Sequence, residues 1–533
     1  MTQTYFINYL DRHYPRIPLT SRYADGVGDH RERIKPTMKK FLLGALLLCV
    51  SLMGLAKGNL PRTIVTTDGE IDDVDTFIRM LYYSNEYHLE GLIYSSSMWH
   101  YKGDGKGTKF TSEMEMTRNM YGAKTDLRWP GVNWIQDLLK AYAQVHPNLI
   151  LHDKNYPTPA YLNSLVKVGN IDFEGEMEQV TEGSEWIKAK LLDKDPEPIY
   201  LQAWGGTNTI ARALKSIEEQ FSADKNWPAI KAKISKKAII YTVMDQDATY
   251  KNYIGGHWPE IRVFYNAHQF GSFAYPWKRL MPKATQPYFE GPYMANKIIL
   301  DHGPLLKMYY SYGDGQKQPG DDEHIHGDPT KLTNAQWGSF APYDFISEGD
   351  SPAFLHLVDV GLNNLNNPSF GGWGGRFVQA KDNPYRYEDN EQAADFNPET
   401  GKMDINYAQT RWLIAAQEDF AARADWSVKA FRDANHPPQI TVTEGMNVQG
   451  KAGQKLTLHV ITKDPDGQAV KIRVWPYPEP GSGKADVSML GNNVEVTIPA
   501  TAKKGDNYHI VVEGTDSGSP ALTRYRRVVI HIQ

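Results

Sequence analysis

The amino-acid sequence predicts an α/β domain, with a mainly parallel β-sheet flanked by helices, followed by a β-sandwich of the immunoglobulin-like type. Two observations lead to this prediction. From residue 61 onward, buried strand patterns alternate with amphipathic helix patterns, which is typical of a parallel sheet covered on both faces. After the stiff segment Asn435–Pro438, short strands of alternating polar and apolar residues follow one another without helices. We therefore expect domains over residues 61–433 and 437–533.

The individual elements are predicted from hydrophobic periodicity. Val74, Phe77, Ile78 and Leu81 recur at the spacing of one helical face. The strands predicted for the first domain are Arg62–Thr67, Leu89–Tyr94, Ile199–Ala203, Ala238–Val243 and Ile261–Tyr265. The helices include Glu185–Leu192, Thr209–Gln220 and a closing helix, Tyr407–Phe431. The strands predicted for the second domain are Leu456–Ile461, Val470–Val474, Val494–Ile498, Tyr508–Gly514 and Arg526–Ile532.

Composition and charge narrow the class of function. The 533 residues exceed what one ordinary core holds, so two or three domains are expected. The formal net charge is −5 and no long basic run occurs in the body of the chain. This argues against nucleic acid or an anionic membrane surface as the main partner. The sequence gives no indication of the oligomeric state.

The first 57 residues have the pattern of a targeting region. Residues 38–57 combine a basic start, an apolar stretch from Phe41 to Leu55 and small residues before Lys57, as in a secretory signal peptide. We interpret residues 1–37 as a spurious upstream extension, with Met38 as the true start. The alternative is a genuine tail ahead of a membrane anchor, although the apolar stretch is short for a spanning helix. The favoured interpretation predicts a secreted or periplasmic protein that leaves the membrane after signal cleavage and has lost Cys49.

Three aspartates follow the first predicted strand. Asp68, Asp72 and Asp73 lie at the strand-to-helix turn, on the side of a parallel sheet where ligands bind. Carboxylates crowded in this way repel one another unless a cation lies among them, and hard oxygen ligands suit calcium or magnesium. The alternative is that acidic residues cap the helix N-terminus. Capping leaves Asp68, still on the strand side, unexplained, so a metal site is the favoured interpretation.

These residues resemble a known family. The segment Val65–Asp73 resembles the D-x-D-P-G-x-D-D motif that opens the nucleoside hydrolases. The segment Gly205–Ala211 resembles that family's later Gly-Pro-Leu-Thr-Asn segment, and Glu348–Pro352 resembles its late His-Asp-Pro segment. The resemblance spans residues 62–376 in order. With the second domain included, the chain resembles a family of secreted bacterial proteins described as cellulose-binding with a nucleoside-hydrolase-like domain.

The resemblance implies roles for single residues. Asp68, Asp73, Asp350 and the backbone carbonyl of Thr207 are expected to bind Ca²⁺. Asp68 is also expected to activate the attacking water, and Asp72 to hold a sugar hydroxyl. The reaction implied is hydrolysis of a glycosidic bond, in which a metal orients the reactants and a carboxylate takes a proton from water.

The sequence also departs from the family's pattern. Thr66 stands where the motif has its first aspartate, Glu70 replaces a glycine, and Gly349 occupies the place of the histidine that protonates the leaving base. Met98 falls where an asparagine contacts ribose. The metal site is thus retained while the nucleoside pocket is not, which favours a sugar or glycan as substrate. The candidates for the missing acid are His324, His326, Glu348 and Asp247.

Substrate contacts are assigned to residues that follow the strands and to one glycine-rich turn. These residues are Trp99, Asn208, Asp247 and Trp373. Trp99, Trp204 and Trp373 together form a hypothetical sugar-binding wall, the alternative for Trp373 being an indole packed in a tight turn. The segment Asp321–Asp328 has metal-ligand residue types, but a solvated loop is the favoured interpretation, and a lid over the substrate is another.

Two functions are compatible with these residues. The first is an exported calcium-dependent hydrolase of N- or O-glycosidic bonds, acting on a sugar or glycan. The second is a carbohydrate-binding protein, for cellulose in particular, that keeps the fold without turnover. The aspartates favour the enzyme, whereas the missing histidine favours the binding protein. A scavenger of nucleosides needs a base pocket that the sequence does not provide.

Overall fold

The structure is a computed structural model that describes residues 60–320, 326–335 and 337–533. The predicted upstream extension and signal peptide lie outside the described residues, and both stay predictions. Within the described ranges, none of the helices combines the length and the apolar character that crossing a membrane requires.

The first part of the chain forms an eight-stranded sheet. The strands of this part are β1 (Arg62–Thr67), β2 (His88–Tyr94), β3 (Phe110–Thr111), β4 (Ala123–Lys124), β5 (Val166–Val168), β6 (Ile199–Ala203), β7 (Ala238–Val243), β8 (Arg262–Asn266), β9 (Val378–Gln379), β10 (Arg386–Glu388), β11 (Asp395–Asn397) and β12 (Lys402–Asp404). The sheet order is β5-β2-β1-β6-β7-β8-β10-β9, and every neighbouring pair is parallel except β10–β9. The predicted α/β class is therefore confirmed. β1, β6 and β7 are buried along their whole length, as expected for parallel strands covered on both faces.

Helices cover the sheet. They are α1 (Ile71–Tyr82), α2 (Glu115–Tyr121), α3 (Trp134–His152), α4 (Pro159–Ser164), α5 (Glu182–Leu192), α6 (Asn208–Phe221), α7 (Trp227–Lys237), α8 (Gly255–His257), α9 (Trp277–Leu280), α10 (Gly291–Met294), α11 (Gly303–Leu306), α12 (Ser351–Leu355), α13 (Tyr407–Thr410) and α14 (Leu413–Trp426). Shorter π- and 3₁₀-helical turns span Tyr250–Ile254, Gln269–Phe273, Gln286–Tyr288, Ala295–Ile299, Pro368–Phe370, Glu391–Ala393 and Phe431–Asp433. The apolar face predicted for α1 is buried against the core.

The closing helix of the first part differs from the prediction. A single helix was expected over Tyr407–Phe431, but the helix is interrupted between α13 and α14. The backbone N–H of Trp412 donates to the carbonyl of Gln409 at 3.0 Å, and the indole N–H of Trp412 donates to the carbonyl of Ala408, also at 3.0 Å. In a regular α-helix the backbone N–H of Trp412 would donate to the carbonyl of Ala408, and here the indole N–H of the same residue takes that place.

The last part of the chain forms two four-stranded sheets. Its strands are β13 (Gln439–Val442), β14 (Asn447–Gly450), β15 (Lys455–Lys463), β16 (Lys471–Pro476), β17 (Asp486–Leu490), β18 (Asn493–Thr497), β19 (Asn507–Thr515) and β20 (Thr523–Ile532). The sheet orders are β13-β15-β18-β17 and β14-β20-β19-β16. Apolar residues of both sheets share one core, so the predicted β-sandwich is confirmed. β13, β14 and β17 were not predicted from the sequence, and each is only four or five residues long.

The sandwich is joined to the first part through its last strand. The backbone N–H groups of Tyr525 and Arg527 donate to the carbonyls of Val360 and Gly361 at 2.9 and 3.0 Å. Gly361 has φ +90°, and a Cβ there would lie 1.8 Å from the carbonyl oxygen of Tyr525, so only glycine fits. The guanidinium of Arg527 is fully buried and donates to the carbonyls of Leu362 and Phe370, each at 2.7 Å.

Candidate functional site

The aspartate turn lies at the point where the strand order reverses. After β1 the chain first adds β2 on one side and later β6 on the other, and ligands of open α/β sheets bind at such a point. Between β1 and α1, Gly69 has φ +81°, and a Cβ there would lie 2.7 Å from Pro130 and 2.8 Å from the Trp134 indole nitrogen. Glycine is therefore required at this turn, which brings the first turn of α1 directly beneath the end of β1.

Three carboxylates converge at this turn. Asp72 and Asp73 lie in the first turn of α1, and Asp350 precedes α12. One oxygen from each of the three lies within 4.8 Å of the other two. Asp73 and Asp350 are 2% exposed, and Asp72 is partly accessible. Desolvation and the charges of neighbouring carboxylates raise the pKa of all three well above its usual value.

This aspartate cluster (Asp72, Asp73 and Asp350) fits a hard divalent cation. Its donors are carboxylate oxygens at the spacing that one ion bridges, and calcium and magnesium prefer such ligands. Next to it, Asp68 is 2% exposed and its Oδ2 has no hydrogen-bond partner among the described residues. An orphaned buried carboxylate oxygen beside a carboxylate cluster is the arrangement that a bound cation completes.

His100 is a site residue that the sequence analysis did not assign. Its Nδ1 lies 3.7 Å from Oδ2 of Asp68 and 4.0 Å from Oε2 of Glu70. The ring is fully buried, and within the described structure neither ring nitrogen has a hydrogen-bond partner. Burial opposes ionisation of Asp68, but His100 and Ser97 outweigh that effect and lower the pKa of Asp68. The position of His100 in the segment that follows β2 could have indicated this role, because polar residues that follow the parallel strands meet at one rim of the sheet.

The polar groups of the loop before α6 make hydrogen bonds within the protein. The carbonyl of Thr207 accepts the helical hydrogen bond of Ala211 at 2.8 Å. The amide of Asn208 donates to Ser96 at 2.9 Å and to the Asn170 carbonyl at 3.0 Å. The metal role of Thr207 and the substrate role of Asn208 stay predictions, while the geometry gives Asn208 an internal positioning role.

Asp247 caps the N-terminus of α6. One carboxylate oxygen accepts from the backbone N–H of Asn208 at 2.9 Å, and the other accepts from the backbone N–H and the hydroxyl of Thr249 at 3.0 and 2.6 Å. Burial raises the pKa of Asp247 despite these hydrogen bonds. Both oxygens are occupied by the protein, so the structure supports a structural role rather than the expected substrate contact or acid.

The three other candidates for the acid are Glu348, His324 and His326, and each has a different outcome. Glu348 is fully buried, lies 2.7 Å from Nε of Arg79 and accepts from the hydroxyls of Tyr309 and Ser351, each at 2.5 Å, so it belongs to the core. His324 lies outside the described residues. His326 is close to the site, with its ring 5.6 Å from that of Tyr275.

Gly349, which stands where the family's late segment has its histidine, lies directly beside the aspartate cluster. A Cβ at this position would lie 2.8 Å from Oδ2 of Asp72, 3.4 Å from Ala274 and 3.5 Å from Phe270. A side chain here would therefore displace the end of the Asp72 side chain.

The expected tryptophan wall does not form. Trp204 and Trp373 are each 1% exposed, and the Arg524 guanidinium lies 5.6 Å from the ring of Trp373. Trp373 is thus a packed indole rather than a stacking platform, because the sandwich covers it. Trp99 is partly exposed at the rim, and its role stays a prediction.

Another aromatic group lies beside the carboxylates. The hydroxyl of Tyr275 donates to Oε1 of Glu70 at 3.0 Å. The ring of Trp337 stacks on Tyr275 with a centroid distance of 6.2 Å and an angle of 19°. Both rings are partly accessible, so they offer the aromatic surface that the buried tryptophans do not. This pairing was not predicted, because it joins segments that lie far apart along the chain.

The fold and the site together define a nucleoside-hydrolase-like α/β protein with an added β-sandwich. The family model for the cellulose-binding Sde182 nucleoside hydrolase-like domain matches residues 62–377, more than half of the chain. The model for the C-terminal domain of the cellulose-binding protein Sde0182 matches residues 455–532. The chain therefore belongs to this cellulose-binding, nucleoside-hydrolase-like family.

A solved structure from Saccharophagus degradans agrees with this assignment. A nucleoside hydrolase-related hypothetical protein from Saccharophagus degradans, described as associated with carbohydrate metabolism, is 27% identical with a TM-score of 0.65. The similarity covers 89% of this chain and all of that protein. The effector protein XOO4466 is also similar, at 10% identity and a TM-score of 0.33, over 74% of this chain and all of that protein. The comparison with curated proteins found no match.

Proposed function

We propose that the protein is an exported, calcium-dependent hydrolase of N- or O-glycosidic bonds that acts on a sugar or glycan. The observation that carries the proposal is the aspartate cluster, in which three carboxylates lie within 4.8 Å of one another and burial and neighbouring carboxylates raise the pKa of each. The description of the family as cellulose-binding supports a carbohydrate as the ligand.

The residues of the site divide the work. The two buried members of the aspartate cluster, Asp73 and Asp350, would hold calcium together with Asp68, whose Oδ2 has no hydrogen-bond partner among the described residues. Asp72, the partly accessible member of the cluster, would accept a hydrogen bond from a sugar hydroxyl. Bound calcium supplies positive charge that orients oxygen ligands and acidifies water. Asp68, whose pKa lies below its usual value, is ionised and thus able to take a proton from water. Tyr275 and Trp337 would pack against the apolar face of a sugar ring.

A second candidate function is carbohydrate binding without turnover. It is favoured by Gly349, which stands where nucleoside hydrolases have the histidine that protonates the leaving group. Under this alternative the metal would only fix the sugar. The two candidates share the site and differ in whether any acid reaches the leaving oxygen.

Calcium-dependent melting of the full chain tests the site. At a calcium concentration of about 100 Kd, binding to the folded state alone adds roughly 2.7 kcal/mol of stability. We expect wild type to show this increase in Tm and Asp73→Asn to lose it. The matched control is Asp137→Asn, since Asp137 is exposed on α3 and pairs only with Lys140 among the described residues. A wild type that does not respond to calcium would contradict the proposal.

Product assays separate the two candidates. Nucleosides and plant oligosaccharides are incubated with wild type and Asp68→Asn, and released sugar is measured. Sugar release that is lost in Asp68→Asn supports the hydrolase. A calcium response and oligosaccharide binding without product support the binding protein instead.

A further inference from the structure

A cavity separate from the aspartate cluster lies at the same rim of the sheet. It occupies about 430 Å³ beside β7, β8 and β10, within the range of roughly 300–1,000 Å³ that ligand sites span. We call it the tyrosine cleft and define it by Asp245, Tyr250, Tyr265, Arg386 and Glu388. None of these residues belongs to the aspartate cluster.

The polar groups of the tyrosine cleft are held in place. Nε of Arg386 donates to Glu388 at 2.7 Å, and its Nη2 donates to Asp382 at 2.8 and 3.0 Å. The carboxylate of Asp245 accepts from the backbone N–H groups of Tyr250 and Lys251 at 3.2 and 3.0 Å. Groups fixed in this way lose little conformational entropy when a ligand binds.

The cleft also offers aromatic surface. The rings of Tyr250 and Tyr265 lie 5.7 Å apart at an angle of 51°, and Tyr265 is partly accessible. At its edge, Tyr385 is 44% exposed, and its backbone N–H donates to Asn383, which also lines the cavity. Aromatic faces bordered by hydrogen-bonding groups suit ligands that have both apolar faces and hydroxyls.

The formal charges of the lining balance. Asp245 and Glu388 are acidic, whereas Lys251 and Arg386 are basic. A phosphate site needs an excess of positive groups and a metal site an excess of oxygen ligands. Neither excess is present, so the lining fits a neutral ligand rich in hydroxyl groups.

We propose that the tyrosine cleft binds a neutral glycan chain that continues along the rim to the aspartate cluster. β7 and β8 lie two and three strands from β1, which corresponds to about 10–14 Å at the usual strand spacing. The cleft is thus a glycan subsite beside the proposed reaction centre. This inference rests on the proposed carbohydrate substrate class and adds where the chain of sugars lies.

Cellopentaose binding to the full chain, measured by calorimetry, tests the inference. Tyr265→Ala removes one aromatic wall and is expected to weaken binding about tenfold or more, the loss of roughly 1.4 kcal/mol. Tyr265→Phe keeps the ring and is expected to bind within about threefold of wild type. Arg386→Ala, whose ion pairs are partly exposed, provides a second variant in case Tyr265→Ala fails to fold. Tyr161→Ala is the control, since Tyr161 is 44% exposed on α4.

Asp73→Asn separates the two sites. Binding that survives in Asp73→Asn but is lost in Tyr265→Ala and Arg386→Ala supports the cleft. Binding that survives in both cleft variants and is lost in Asp73→Asn overturns the inference and leaves the proposed function intact. An acidic oligogalacturonate that binds more tightly than cellopentaose also overturns it. A wild type that binds no oligosaccharide but responds to calcium rejects the cleft, whereas absence of the calcium response rejects the proposed function.

Discussion

Two buried acidic sites of this protein, the aspartate cluster and Asp419, differ in whether arginine side chains compensate their charge. In the aspartate cluster, desolvation and like charges raise the pKa of each acid well above its usual value. At the contact with the sandwich, burial also opposes ionisation of Asp419, yet Arg524 and Arg423 lower its pKa to about 2. The second group is neutralised from within the chain and serves stability. In the first, the neighbouring charges that raise the pKa values are those of other carboxylates, as expected for the calcium site proposed above.

The largest effect is expected when the compensated group is broken. Asp419→Asn removes the common partner of the buried Arg423 and the partly exposed Arg524, each of which lies 2.8 Å from it. Removing one partner of a buried ion pair costs about 3–5 kcal/mol. Because Arg423 keeps its ion pair with Glu86, we expect a loss near the lower end of this range in denaturant unfolding. Asp382→Asn, which removes an exposed carboxylate, should leave stability almost unchanged. Equal small losses for both variants would mean that Asp419 does not compensate Arg423.

The opposite sign is expected for the uncompensated group. Asp350→Asn removes one of three repelling carboxylates, so the calcium-free protein should be more stable than wild type. The same variant should lose the stabilisation by calcium. Melting in a chelator and in calcium measures both effects. If Asp350→Asn were less stable than wild type in the chelator, the cluster would not be a repelling one.

A smaller, pH-dependent effect is expected at Glu174, outside both groups. Burial, and to a lesser extent the charge of Asp247, raises the pKa of Glu174 to about 7. The unfolded chain releases this proton near pH 4.5, so the group lowers stability progressively as pH rises from about 4.5 to 7. Glu174→Gln should therefore melt higher than wild type at pH 8 and equally at pH 5. A difference that does not change with pH would mean that the gain comes from packing.

Hydrophobic periodicity predicted the central strands of the sheet, and the acidic turn after β1 predicted two residues of the aspartate cluster. β1, β6 and β7 have the predicted bounds, because strands buried on both faces are continuous apolar runs. Asp72 and Asp73 were found because turn and helix follow each other in sequence. Trp373 was misjudged because its cover, Arg524, comes from the other domain. Tyr275 and Trp337 were not predicted, because a contact between distant segments of one domain leaves no periodic pattern in the sequence.

The attachment of β20 has a consequence for how the protein is made. Arg527 on this strand satisfies the carbonyls of Leu362 and Phe370, and Arg524 covers Trp373. A nascent chain emerges from its N-terminus, so these carbonyls and this indole stay open to water until the final described strand has been synthesised. The first domain therefore completes its packing only after translation has passed residue 527. A polypeptide truncated before β20 would leave these carbonyls and the indole of Trp373 exposed to water.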